Sequence, residues 1–248
     1  MRGGARERLS DSTVTTDSSG ELRPATRADF EGLPADVAPL LLGAHLTTTV
    51  GGDTVTVRLT EVEAYHGLGT GPLADPGSHA RMGPTARNAT MWGEPGHLYV
   101  YLSHGIHSCV NVVCGPPGVA GGILLRAGEI IEGQDAATRR RPAARAPRDL
   151  ARGPGRLGDA VGLQHPIHDG IDAITGDEWH GAVARLRLRT EPLGEVATGP
   201  RVGVAGVAGT DAFPWRFWIA GNPTVSPFRW GRGAEASSAG LSAGSSPP

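Results

Sequence analysis

The clearest pattern in the chain is an alternation. Over residues 54–65 it reads Thr-Val-Thr-Val-Arg-Leu-Thr-Glu-Val-Glu-Ala-Tyr, apolar at nearly every second position and rich in β-branched side chains. That period and composition predict a β-strand. Side chains alternate along a strand, so Glu61, Glu63 and Tyr65 should project from one face. A partner strand is predicted over residues 45–50, joined through Gly51-Gly52-Asp53, a good hairpin turn. Shorter apolar runs predict strands over 97–102, 106–114, 122–127, 182–190, 201–204 and 216–220, with a tight turn at Ser103-His104-Gly105. Three helices are expected. The first covers 36–43, with Asp36 near its cap, Pro39 in its first turn and Gly43 at its end. The second covers 129–141, its acids early and its arginines late, as the helix dipole favours. The third is short, over 155–161. Between strands, residues 66–96 form a long irregular segment rich in Gly and Pro, and such loops in compact domains are usually functional.

These elements amount to one mixed α+β domain over residues 29–232. The flanks, 1–28 and 233–248, are rich in Ser, Gly and charge or in Ser, Ala, Gly and Pro, and are expected to be disordered tails.

Composition narrows the picture. A chain of 248 residues can bury an ample core. No apolar run approaches the length of a membrane span, and the N-terminus shows no signal-peptide core, so the expected location is the cytoplasm. Cys109 and Cys114 lie in an apolar stretch and should be reduced, buried thiols. The net charge of -2 argues against a generically cationic nucleic-acid binder, although a net value hides how charge is distributed. All 23 basic residues are arginine. Without lysine, no side-chain amine can form a Schiff base with a sugar aldehyde.

Three groups of residues could carry chemistry. Arg139, Arg140, Arg141, Arg145, Arg148, Arg152 and Arg156, with few acids among them, form the one clearly basic zone. It is either a solvated helical face or a phosphate-tracking surface, the latter helped by backbone amides of Gly153-Pro154-Gly155. His97, His104 and His107 invite a metal-site reading, but no cysteine or carboxylate stands at a recognisable ligand spacing. No metal is expected. Glu61 and Glu63, two apart on a strand, could serve as the acid and nucleophile of a retaining carbohydrate glycosidase. That reading leaves the basic zone without a use.

Taken together, a series of short motifs resembles the alkyladenine (3-methyladenine) DNA glycosylase family. They are Glu61-Val62-Glu63-Ala64-Tyr65, Ser78-His79-Ala80-Arg81, Thr85-Ala86-Arg87-Asn88, Pro95-Gly96-His97-Leu98-Tyr99-Val100-Tyr101, Cys109-Val110-Asn111-Val112, Leu124-Leu125-Arg126-Ala127, Gly153-Pro154-Gly155-Arg156-Leu157 and Pro214-Trp215-Arg216-Phe217. Order and approximate spacing agree from about Leu40 to Val225.

The resemblance implies a mixed fold on a curved antiparallel sheet, with peripheral helices and a protruding β-hairpin. It implies a monofunctional enzyme of base excision repair that flips an alkylated purine out of double-stranded DNA and hydrolyses its N-glycosidic bond. Glu63 matches the general base and Arg126 a cation beside the catalytic water. Tyr65, His79 and Tyr101 match the walls that stack on the flipped base, and Asn111 the residue whose bulk disfavours the 2-amino group of guanine. Arg87, Arg145, Arg148, Arg152 and Arg156 would contact phosphate. At the family's intercalating tyrosine this chain carries His104, smaller but planar and able to be cationic. Ala86 replaces a proline. No cofactor is implied, since a cationic N-alkylpurine is already a good leaving group. The candidate lesions are 3-methyladenine and 7-methylguanine, with ethenoadenine and hypoxanthine further possibilities. The expected setting is a monomer at the nucleoid, away from membranes. A non-catalytic binder of damaged DNA is the other reading left open.

Overall fold

The computed structural model describes residues 20–68, 73–116 and 118–235. Within them the chain forms nine strands and three short α-helices, joined in part by 3-10 turns, in one mixed α+β domain. The strands are β1 (Leu22–Pro24), β2 (His45–Val50), β3 (Asp53–His66), β4 (Leu98–Ser103), β5 (His107–Val113), β6 (Gly121–Glu132), β7 (Ala182–Arg189), β8 (Ala197–Gly199) and β9 (Arg216–Trp218). The helices are α1 (Pro34–Val37), α2 (Gln134–Arg140) and α3 (Pro154–Val161).

The strand with the clearest sequence alternation is the spine of the sheet. Strand order is β1-β7-β2-β3-β6-β5-β4, every described pairing antiparallel, with β9 joining β3 and β8 joining β9. The first half of β3 pairs with β2, and its last turn toward the loop pairs instead with β9, Glu61 opposite Trp218 and Glu63 opposite Arg216. Its other edge is covered by β6 from Thr56 onward, and there the register slips twice near Glu61. Leu59 faces Gly128, Glu61 faces Ala127 and Val62 faces Leu125, which leaves Arg126 without a cross-strand partner. Such a bulge re-aims a side chain, and here the residue concerned is an arginine beside two glutamates.

The core is apolar and continuous: Val55, Val57, Leu59, Val62 and Ala64 from β3 pack with Val110, Val112, Ile123, Leu125 and the inner face of α3, Leu157, Ala160 and Val161. The helix lies very close to β5. A Cβ on Gly158 would sit 2.0 Å from the Ser108 carbonyl oxygen, so only glycine permits this approach.

Several expectations from sequence are corrected. The predicted helix over 129–141 is a strand for its first four residues: β6 continues to Glu132, its Glu129 accepts from Arg58 and its Glu132 from Thr56, and only after Gly133 at φ 73° does α2 begin. β-branched Ile130 and Ile131 and an open strand edge outweigh the charge order. The helix placed over 36–43 starts earlier, at Pro34, and changes at Ala38 to a 3-10 turn, because Pro39 has no N–H to continue α-helical bonding. No strand forms over 201–204; β8 precedes it and Pro200 interrupts the ladder. Residues 20–28, expected as part of a tail, carry β1 on the edge of β7 and lead into a 3-10 turn with Phe30 fully buried. At the other end Ala234 is fully buried. Residues 1–19 and 236–248 lie outside the described part. Among the described residues no helix is long and apolar enough to cross a membrane.

Candidate active site and its cavity

The two carboxylates of β3 do lie on one side of the strand, joined by one guanidinium. Arg126 donates through Nε to Glu61 at 3.0 Å and through Nη1 to Glu63 at 3.2 Å. Both glutamates are fully buried, yet their surroundings differ. Glu61 accepts four further-reaching bonds at once: Arg126 Nε, Arg216 Nε at 2.7 Å, the Ser226 hydroxyl at 2.9 Å and the Ser226 amide at 2.7 Å. Three of these fall on Oε1 and one on Oε2, so both oxygens of this fully buried carboxylate are held by structural partners. The paired-glutamate glycosidase reading fails on this point, since one of its two acids has nothing left to offer a substrate.

Glu63 is held by three donors. Oε2 accepts from the Tyr65 hydroxyl at 2.9 Å and from Arg126, and Oε1 accepts from the Val202 amide at 2.6 Å. All three donor residues line a cavity of about 730 Å³. Glu63 itself is fully buried and stands behind that lining, one hydrogen bond from the cavity wall. The remaining wall includes His79, Arg87, Tyr101, His104 and Asn111, so the structure brings together Tyr65, His79, Tyr101, Asn111, Arg126, His104 and Arg87 around one space.

Ring geometry gives the cavity a flat, aromatic character. Tyr101 is stacked on Tyr99, centroids 5.4 Å apart at 21°, and meets His79 edge-on at 4.5 Å and 87°. Burial pushes the Tyr65 and Tyr101 hydroxyls above the usual range, helped at Tyr65 by the nearby Glu63 and at Tyr101 by Cys109. Tyr65 therefore stays a hydrogen-bond donor. His79 keeps solvent contact at the cavity mouth, but packing around its ring, and then Arg87 and Arg81, hold it below the ordinary histidine value, hence neutral near pH 7. Burial also opposes the charge on Arg126, and the Glu63 and Glu61 carboxylates more than reverse that, so it remains a cation. Asn111 is nearly buried and its amide donates to the Tyr99 carbonyl at 3.1 Å, which fixes the side chain against the cavity wall.

The long irregular segment holds its shape through side chains. Asn88 accepts from the Thr85 amide and donates to the carbonyls of His79 and Gly83, and Asp75 accepts from the amides of His66 and Gly77. The loop that presents His79 is thus internally clasped. Between β4 and β5 the turn places His104 at φ 50° and Gly105 at φ 70°, the paired left-handed conformation of a tight hairpin. His104 is exposed and bonded to the Ser103 hydroxyl at 3.1 Å, and Ile106 beside it is 73% exposed.

The arginines separate. Arg87 is exposed at the cavity rim. Arg148 and Arg156 are exposed near the start of α3, whose first residue, Pro154, lines the cavity. Arg152 is partly committed, donating Nε to the Val225 carbonyl at 2.9 Å. Arg145 instead lines a separate small recess beside α2 that shares no lining residue with the cavity. Among the described residues no cluster of three or more His, Cys, Asp or Glu has metal-binding geometry; His97 Nδ1 contacts the Glu94 carbonyl at 3.2 Å.

Sequence reasoning assigned no role to three contributors. Val202 supplies a backbone amide, which no side-chain pattern reveals. Arg201, fully buried, sits in a stretch read only as a strand, and Arg216, almost fully buried, was noted only as part of a motif, although an arginine amid apolar and glycine residues was the available signal.

Comparison with known proteins agrees with this architecture. The chain matches the methylpurine-DNA glycosylase family over residues 28–223. It is 48% identical over 206 residues to a protein of Streptomyces avermitilis, covering 83% of this chain and 92% of the relative. A protein of Leifsonia xyli subsp. xyli is 50% identical over 207 residues, with 82% and 92% covered, and one of Nocardia farcinica is 48% identical over 197 residues, with 79% and 87% covered. All three bear the name "putative 3-methyladenine DNA glycosylase". With a cavity of this make-up, and a match across most of its length, the chain belongs to the methylpurine-DNA glycosylase family, enzymes that hydrolyse N-glycosidic bonds in damaged DNA.

Proposed function

We propose that the enzyme excises alkylated purines from double-stranded DNA by swinging the damaged nucleotide into the 730 Å³ cavity and hydrolysing its glycosidic bond with water held by Glu63. The observation that carries this reading is the setting of Glu63: a buried carboxylate directly behind the cavity wall, whose three hydrogen-bond donors, Tyr65, Arg126 and Val202, all line the cavity. In the reaction, a water oxygen forms a bond to the anomeric carbon as the carbon–nitrogen bond breaks. The purine leaves with the bonding electron pair, and the water's proton passes to the Glu63 carboxylate. A base alkylated on a ring nitrogen departs as a neutral molecule, so it needs no acid. Hypoxanthine and ethenoadenine are neutral and depend more on hydrogen bonds to the leaving base.

Tyr65, His79 and Tyr101 receive the base on aromatic faces. A neutral His79 suits this role, because it adds no charge against a cationic purine. Asn111, held by the Tyr99 carbonyl, crowds the side on which guanine carries its 2-amino group. The hairpin tip fills the gap left in the duplex. His104 and the exposed Ile106 stand together there, a planar polar group and an apolar one of the kind that wedges between base steps. Arg148 and Arg156 are exposed and can meet phosphate, as can Arg145 further along the basic zone, while Arg87 and Arg152 each already donate to one backbone carbonyl, Leu102 and Val225. With no lysine in the chain, the sugar is left as an intact abasic site and not cleaved through a Schiff base.

The test is a panel of duplexes bearing 3-methyladenine, 7-methylguanine, ethenoadenine or hypoxanthine, assayed for free base and for strand breaks. Release of at least the cationic bases with intact strands is expected. Tight binding to damaged duplex without any free base would instead establish a non-catalytic binder.

A further inference from the structure

Behind the cavity lies a second charged pair that the reaction scheme leaves unused. Arg201 is fully buried and donates both terminal nitrogens to Asp75, each at 2.7 Å. It also donates to the carbonyls of Ala64 and Ala208, both at 3.1 Å. Its guanidinium carbon stands 4.5 Å from the centre of the Tyr65 ring and 5.1 Å from that of Trp215. Tyr65 is a wall of the cavity and Arg201 is not, so the ring separates the guanidinium from the space where a base would stack. Gly77 marks how tightly this is built, since a Cβ there would come within 2.8 Å of the Arg201 nitrogen.

An aromatic ring carries negative potential on both faces, and a cation on one face acts through the ring on whatever lies against the other. We propose that the Arg201–Asp75 pair is a specificity-determining element, setting the potential behind Tyr65 and thereby the balance between cationic and neutral damaged bases. The inference rests on the base-stacking role given to Tyr65 above. Arg201 disfavours a cationic purine on the front face, and Asp75, which accepts from both of its terminal nitrogens, offsets most of that cost. The two residues therefore have opposite effects on the same quantity. A purely structural pair would not behave so; losing either member would weaken every lesion alike.

The experiment measures affinity for two duplexes, one with 7-methylguanine and one with ethenoadenine, each on a 2′-fluorinated sugar that resists cleavage, and each referred to undamaged duplex. In Asp75→Asn the uncompensated guanidinium should lower the cationic-to-neutral affinity ratio by about threefold or more. In Arg201→Met the remaining carboxylate should raise it by a similar factor, and Arg201→Lys should leave it near the wild-type value. Should Arg201→Met fail to fold, Asp75→Asn still decides the sign, with Arg201→Lys as the charge-retaining control. An unchanged ratio in Asp75→Asn, or a shift toward the cationic base, would overturn the proposal. Base release by the wild-type enzyme from unmodified 7-methylguanine duplex, run alongside, keeps this outcome separate from a failure of the glycosylase reading.

Discussion

The Tyr65 hydroxyl donates to Glu63 Oε2 at 2.9 Å, two residues along the same strand, so the aromatic wall of the cavity and the carboxylate behind it are one unit. A strand period of two makes this contact possible, and burial of Tyr65 keeps its hydroxyl protonated to serve it. Tyr65→Phe keeps the ring and removes the bond. A net hydrogen bond to a charged group is worth roughly 1.5–3 kcal/mol, so single-turnover base release should fall by about tenfold to a hundredfold while affinity for damaged duplex stays within about twofold. A rate equal to wild type would show that the hydroxyl does not orient Glu63.

Glu61 is a structural acid. It neutralises Arg126 and Arg216 inside the protein, and its removal leaves two guanidiniums short of a partner. Glu61→Gln should cost about 3–5 kcal/mol of unfolding free energy, measured by urea denaturation. A loss below about 1 kcal/mol would mean that these buried arginines find other partners.

The lowered pKa of His79 has a definite sign. Below the ordinary value of 6.5 the unfolded chain binds a proton that the folded one refuses, so this group's share of stability is complete above 6.5 and is lost as pH falls through the lower folded value. Arg87 is one cause of the lowering. In Arg87→Ala the His79 titration, followed by ring-proton NMR, should move upward toward 6.5. Excision of cationic bases should then begin to fail at a higher pH, because a protonated ring repels them. No movement of the titration would rule out the Arg87 contribution.

The hairpin tip makes a prediction about substrate form. Its residues act only when a gap in a duplex needs filling, so His104→Ala and Ile106→Ala should slow excision from double-stranded DNA several-fold more than from single strands. With flipping costing a few kcal/mol, the double variant should show the larger deficit. Equal losses on both substrates would remove the wedge role from this turn.

How far the sequence revealed all this varied with the type of signal. β3 was legible because a period of two over a dozen residues has few other solutions, and the shared face of Glu61, Glu63 and Tyr65 followed from it. The aromatic and amide wall was legible only through the ordered motifs, since Tyr101 and Asn111 alone read as ordinary core residues. The bulge at Arg126 was not, because a register slip depends on both strands. Nor was the split between the two glutamates: donors that hold Glu61 come from Arg216 and Ser226, more than 150 residues away, and the amide that holds Glu63 comes from Val202. The helix expected over 129–141 failed because local charge order says nothing about a free strand edge nearby.

The most direct test of the account is single-turnover release of 7-methylguanine from duplex DNA by Glu63→Gln. The amide can still accept from Tyr65 or Val202 but cannot take a proton from water. Release should drop by roughly 10²–10⁴-fold with affinity for the damaged duplex nearly unchanged. Release at the wild-type rate from a folded, DNA-bound Glu63→Gln protein would contradict it.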